Sequence, residues 1–272
     1  MSQCSANGSS RRALWSSRRW CEHFLGNARS LPELPWERGA EWTEQEKQAV
    51  AASLQDFQLG ESSEGKHLRA RARAYAERHD DPAYATAMEL FIREEQRHAH
   101  LLGQFLTQAG LPLRQRTRLD SIFRWLRRRA GLELCITVLL TAETVGTVYY
   151  KTLRRATRSL LLRRICEQLL RDEAKHVRFH AERLASIARR RAAWKTWLTR
   201  AGHRLLFAGS CLAVWLKHRR ALQAGGLNLV RYWRNCWREM RKILRLATPG
   251  LYVAQRKKIA DVWMVYELQT RA

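Results

Sequence analysis

Two pentapeptides hold the residue types that bind metals, Glu94-Glu95-Gln96-Arg97-His98 and Asp172-Glu173-Ala174-Lys175-His176, and both read acidic-Glu-x-basic-His. Residues three apart share a face of an α-helix, so Glu95 with His98, and Glu173 with His176, each aim a carboxylate and an imidazole at one point. Each pair is half of a metal site. The neighbours set the direction in which the pairs point. Met88, Phe91, Glu95, His98, Leu102 and Phe105 alternate steps of three and four, as do Leu162, Cys166, Leu169, Glu173 and His176. The polar residues therefore stand in for core residues on apolar stripes.

A single acidic residue lies on a similar stripe upstream of each pair. Glu64 is in line with Val50, Leu54, Phe57 and Leu68, and Glu143 with Ile136, Leu140 and Tyr150. Glu64 precedes Glu95 by 31 positions and Glu143 precedes Glu173 by 30. This spacing predicts two helical hairpins, each with a lone Glu on its first helix and Glu-x-x-His on its second. Glu61 lies on the same face as Glu64 and is held as its alternative. Four carboxylates left unpaired in a core would each cost on the order of several kcal/mol. Two divalent cations balance them, and two imidazoles complete the ligand set.

That set resembles the one used by the ferritin-like di-iron and di-manganese carboxylate bundles, and the resemblance covers roughly residues 43–191. It implies a dinuclear site ligated by Glu64 (or Glu61), Glu95, His98, Glu143, Glu173 and His176, holding two irons or a manganese–iron pair. It also implies that Glu94 and Asp172 hydrogen-bond ligand imidazoles and fix their tautomers. Gly60-Glu61-Ser62 is similar to the rubrerythrin form of the first helix. Tyr149 and Tyr150, comparable in place to the radical tyrosine of ribonucleotide reductase small subunits, are read as core packing. His67 and His180, each a further histidine one turn from a motif residue, are read as supporting or surface side chains.

The elements that must position these residues are helices. Thr43 and Glu46 form a capping box for a first helix reaching Arg78, Asp81-Pro82 starts a second that stops before Gly110-Leu111-Pro112, and Asp120–Arg129 forms a short link. A third helix runs from Leu132 to Thr157, and Ser159 caps a fourth ending near Arg190. The fold class is all-α, a ferritin-like four-helix bundle over residues 43–191. A basic, partly disordered leader (1–42), with a short helix near Trp20–Leu25, precedes it. A basic Trp/Arg-rich helical extension (192–272) follows, with helices over Trp194–His218, Asn228–Arg245 and Val253–Leu268.

Composition narrows the function. The six cysteines are scattered without Cys-x-x-Cys, which excludes a rubredoxin-like or zinc-ribbon module and a disulfide framework and suits a reducing cytoplasm. Electrons for a redox site must then come from another protein, a ferredoxin or a reductase. The net charge of +25 is uneven, about +14 of it in residues 191–272, where an anionic membrane surface or RNA would dock. Ser10-Arg11-Arg12 has no apolar segment behind it and is read as part of the basic leader, not an export signal. No run of 18 or more apolar residues occurs, so a cytoplasmic protein, peripheral at the membrane, is expected. The expected activity is an O₂-activating oxidoreductase that hydroxylates, desaturates or N-oxygenates an organic substrate, with a homodimer as the candidate assembly. The alternatives are a rubrerythrin- or ferritin-like peroxidase or ferroxidase, and a non-enzymatic metal-stapled bundle that binds through its basic tail.

Overall fold

The computed structural model describes residues 12–62, 65–115 and 131–253. Among the described residues the regular elements are helical: α1 (Ser17–Arg29), α2 (Glu44–Glu61), α3 (Lys66–His79), α4 (Pro82–Gln108), α5 (Leu132–Ala156), α6 (Leu160–Ala188), α7 (Ala193–Ala224) and α8 (Leu229–Leu246). Helices α2, α4, α5 and α6 form the bundle, with α5 and α6 as its most closely packed pair. An isolated parallel bridge joins Arg12 to Tyr252, bringing the two described ends of the chain together.

The local signals act as their chemistry requires. The Thr43 side chain accepts from the Glu46 backbone N–H while the Glu46 carboxylate accepts from the Thr43 N–H, closing both halves of a capping box. Ser159 Oγ accepts from Leu162 N at 3.2 Å and starts α6. Pro82 opens α4, but Asp81 does not cap it through its side chain. Its carboxylate instead accepts from Ser17 Oγ at 2.7 Å and from Arg183 Nη2 at 3.2 Å, tying α1 and α6 to the start of α4.

One expectation needs revision. The first helix does not run from Thr43 to Arg78: α2 stops at Glu61 and α3 begins at Lys66. Gly65, at the break, takes φ +65°, and a Cβ there would lie 2.8 Å from Ile92 side-chain carbons. A left-handed, sterically closed position cannot continue a helix built of ordinary residues. The short helix expected near Trp20–Leu25 is α1, whose Trp20 and Phe24 are buried against α4 and α6 in one cluster with Phe91 and Phe179. α7 and α8 share a hydrophobic cluster with the bundle, in which Phe207, Cys211, Tyr232 and Cys236 join Leu54, Tyr149 and Leu162. Glu64, the link Asp120–Arg129, and the last helix apart from Val253 lie outside the described residues.

By length and composition α5 could cross a membrane, but 72% of its apolar window is buried inside the molecule. It is packed as the central helix of a bundle. The two apolar clusters divide the core lengthwise. On α4, Phe91 belongs to one and Leu102 to the other; on α6, Phe179 and Leu169 divide the same way. Between them, at the level of Glu95 and His98 on α4 and Glu173 and His176 on α6, lies a polar layer.

Candidate metal centre

The three-residue spacing on α4 and α6 places four ligand-type groups together: one ligand atom from each of Glu95, His98, Glu173 and His176 lies within 4.8 Å of the others. Both histidines are fully buried, Glu173 is 2% exposed, and Glu95 is partly buried. His176 Nδ1 lies 2.9 Å from Glu95 Oε1 and 3.8 Å from Glu173 Oε2. His98 Nδ1 lies 3.6 Å from Glu95 Oε1 and 3.7 Å from Glu173 Oε1. Each carboxylate thus faces both imidazoles.

The outward nitrogen of each ring is fixed, and the fixing is crossed. His98 Nε2 lies 3.0 Å from Asp172 Oδ2, and His176 Nε2 lies 3.0 Å from Glu94 Oε2. Each acidic residue that precedes a motif Glu therefore holds the imidazole of the other motif. A carboxylate only accepts, so the N–H sits on Nε2 and Nδ1 is turned to the centre.

A network continues outward from the two acids. Asn27 Nδ2 on α1 donates to Glu94 Oε1 and, at 2.8 Å, to Asp172 Oδ1. Arg97 Nη2 donates to Glu94 Oε1 at 2.5 Å, and Gln168 Nε2 to Asp172 Oδ2 at 2.8 Å. Arg97 and Gln168 also line a cavity of about 400 Å³ walled by Leu31, Leu34, Trp36 and Leu101. Asn27 was missed in the sequence, although it continues the Trp20–Phe24 stripe at the next core-facing step.

Glu61 and Glu143 flank the four. Tyr150 O–H donates to Glu61 Oε1 at 2.5 Å, so this tyrosine packs in the core and also holds a carboxylate at the site. Glu64 lies outside the described residues. Glu143, 6% exposed, has neither oxygen hydrogen-bonded. His67 is exposed on α3. His180 is not on the surface: it is fully buried, both ring nitrogens lack hydrogen bonds, and Nε2 lies 3.4 Å from Glu143 Oε1.

The electrostatics are those of carboxylates crowded into a buried layer. Burial and the nearby carboxylates Glu95 and Glu173 push the Glu61 carboxyl well up, and burial with Glu173 does the same to Glu143. Burial also raises Glu173. Burial would raise Glu95 too, but His176 and His98 outweigh it and hold Glu95 down at about 2. Contacts with Glu173, Glu94 and Glu95 overcome the burial of His176 and raise it well above an ordinary imidazole. Glu94 and Asp172 are lowered because their histidine contacts outweigh burial. Glu95 Oε1, Glu173 Oε2, His98 Nδ1 and His176 Nδ1, all inward-facing, make no hydrogen bond. Buried polar atoms are nearly always paired, so this convergence of unpaired lone pairs fits metal ions, and an oxygen-rich set with few imidazoles suits iron or manganese better than zinc.

No protein-family model matches the chain, and no curated protein does so. Among solved structures the chain is similar to a variant R2-like ligand-binding oxidase with an aerobically reconstituted Mn/Fe cofactor, at TM-score 0.62 and 13% identity, covering 86% of this chain and 94% of that one. Likeness at that identity speaks for the fold, and the fold is that of the ferritin-like helical bundles.

Proposed function

We propose that this chain is an oxidoreductase of the dinuclear metal-carboxylate type, holding two iron ions or a manganese–iron pair. One observation carries the reading: the unpaired inward atoms of Glu95, His98, Glu173 and His176 converge in a buried layer while the outer nitrogen of each imidazole is fixed by the acid of the opposite motif. The solved structure with a Mn/Fe cofactor and the same architecture supports it.

Glu95 and Glu173, each facing both histidines, would hold the ions together with those histidines. Glu61 and Glu143 would each serve one ion, and four carboxylates against two divalent charges leave the layer neutral, which is the condition for burying it. Ions of this kind supply redox chemistry with O₂.

The rest belongs to the chain. Phe24 and Phe91 stand beside His176, with ring centroids 6.1 and 4.8 Å away, and exclude water from that side. Tyr150 orients Glu61 through its O–H, and Asn27 and Arg97 hold Glu94 and Asp172 in the positions that set both imidazole tautomers. With no Cys-x-x-Cys in the sequence for an internal iron centre, electrons reach the site from a separate ferredoxin or reductase. An organic molecule oxidised by hydroxylation, desaturation or N-oxygenation is the substrate class the reading implies.

The test is metal content and O₂ uptake. Protein made metal-free and reloaded anaerobically with Fe(II), or with Mn(II) and Fe(II), is expected to hold two ions per chain and to consume O₂ on exposure to air. Protein that retains no metal after reloading overturns the reading. Accumulation of many irons per chain during Fe(II) oxidation would turn it into a ferroxidase.

A further inference from the structure

His180 stands one helical turn past His176 on α6, on the side of the polar layer where Glu143 enters from α5. Its ring is fully buried, and neither nitrogen has a hydrogen-bond partner. The adjacent rings are aromatic carbon, Phe91 at 4.5 Å and Phe179 at 5.0 Å between centroids. The polar atom its Nε2 approaches is Glu143 Oε1, at 3.4 Å and without hydrogen-bond geometry, and both oxygens of Glu143 are equally unpartnered. One nitrogen and one oxygen thus approach each other, and all four polar atoms of the two side chains are without a hydrogen bond. A purely structural pair would have closed the gap to one good hydrogen bond, because an unmade buried bond is costly. A separation that keeps lone pairs of both groups available is what a shared cation requires.

We infer that His180 is a third imidazole ligand, acting with Glu143 on one metal ion and making the two metal positions unlike. The inference rests on the dinuclear reading above. The position near His98 would have one nitrogen donor and the position near His176 two. Nitrogen donors raise the affinity for later first-row metals relative to manganese, so the His180 position is the one at which manganese would be least retained.

The wild-type protein loaded with Co(II) decides this without relying on a variant that might not fold. Each cobalt-ligated imidazole gives one isotropically shifted, solvent-exchangeable N–H proton resonance. Three such resonances with two Co(II) per chain are expected, and His180→Gln should keep its helical circular dichroism, lose one resonance and bind one of the two ions about 10–100-fold more weakly. Two resonances at two Co(II) per chain would overturn the role of His180 and leave the dinuclear site standing. No bound cobalt would overturn both.

A different observation carries a second inference. One face of α7 is buried on the bundle through Phe207, Cys211 and Val214, whereas Trp194, Leu198, Leu205, Leu212 and Leu216 are half to three-quarters exposed. Their steps of four, seven, seven and four place them on one stripe, about 33 Å long at 1.5 Å per residue. Lys195, Arg204, Arg219 and Arg220 flank it, and the exposed face of α8 carries Arg231, Arg234, Arg238, Arg241 and Arg245 in alternating steps of three and four. A second copy on this stripe would bring together two chains of net charge +25. A surface of anionic lipid matches both the apolar stripe and the charge.

We propose that α7 lies in the interface of a membrane containing acidic lipids, with the leucine stripe inserted and the flanking cations against the headgroups. Sedimentation with vesicles of phosphatidylcholine, with and without phosphatidylglycerol, tests it. Retention on the acidic vesicles is expected, with Leu205→Glu and Leu212→Glu each weakening it by about tenfold or more at unchanged helical content. No retention on acidic vesicles overturns the proposal, as does retention unchanged in both variants. So does a dimer in solution that the variants split while vesicle binding is absent, which assigns the stripe to a second copy. Leucine-insensitive binding of RNA in place of vesicles would assign the surface to nucleic acid.

Discussion

At the level of single residues, the centre joins two kinds of side chain whose removal should read differently. Glu95 and Glu173 face both imidazoles, so Glu95→Ala and Glu173→Ala are each expected to abolish loading to two ions per chain while circular dichroism keeps the helices; full metal content in both variants would place the site elsewhere. Tyr150→Phe removes a donor to Glu61 and leaves every inward ligand atom in place, so metal content should persist. Asp172 acts through His98. Replacing its carboxylate by an amide in Asp172→Asn keeps an acceptor for His98 Nε2 but removes the charge, with an expected loss of about 10-fold or more in metal affinity by competition titration. Asn27 bridges Glu94 and Asp172 from α1. Asn27→Ala should cost about 1 kcal/mol in urea unfolding, because a donor to two carboxylates is lost from a partly buried position. The metal pairs were readable in the sequence because a three-residue step on an amphipathic helix fixes which side chains meet. The crossed pairing of Glu94 with His176 and Asp172 with His98 was not, since it depends on how α4 and α6 face each other.

Among the helices, those carrying strong periodicity and caps were legible: α4, α5 and α6 fall within a few residues of their expected limits, and the Thr43 box and Ser159 cap are present. What escaped depends on contacts distant in sequence. α1 is short and flanked by polar residues, and only its docking on α4 and α6 shows that Trp20, Phe24 and Asn27 form one functional face. The break between α2 and α3 follows from Gly65 meeting Ile92, a residue of α4. Gly225 is another such contact: at the end of α7, a Cβ would lie 2.3 Å from Thr152 Cγ2 and 2.4 Å from the Thr152 carbonyl oxygen on α5. A backbone oxygen cannot rotate away, so α7 must lift from α5. Gly225→Ala is therefore expected to destabilise the protein by about 1–3 kcal/mol, measured as a lower urea midpoint at unchanged slope. An unchanged midpoint would mean that α7 does not rest on α5 there.

Over the whole molecule, the pH dependence of stability should reveal whether metal belongs to the folded state. In the metal-free protein Glu61, Glu143 and Glu173 have carboxyls raised above 4.5. The stability they contribute is fully present below that value and is lost as pH rises through their folded values. His176 is raised above 6.5, so its contribution is present below 6.5 and is likewise lost on further rise. Glu94 and Glu95, lowered from 4.5, and Asp172, lowered from 3.8, act oppositely: their contribution is present above those values and is lost as pH falls. The metal-free chain should thus lose melting temperature as pH rises above 6.5, where His180, His203 and His218, lowered from 6.5 by burial, no longer oppose the loss. Metal ions take the place of the protons that Glu61, Glu143, Glu173 and His176 hold, so loading should release protons into a weakly buffered indicator solution and flatten that decline. Since α1, α7 and α8 share the apolar clusters on either side of the polar layer, the whole described chain should respond, with tryptophan fluorescence and far-ultraviolet circular dichroism melting together in both forms. Parallel pH profiles with and without metal would mean that the ions do not contact the titrating carboxylates. Separate melting of the two signals would mean that the flanking helices do not share the stability of the site.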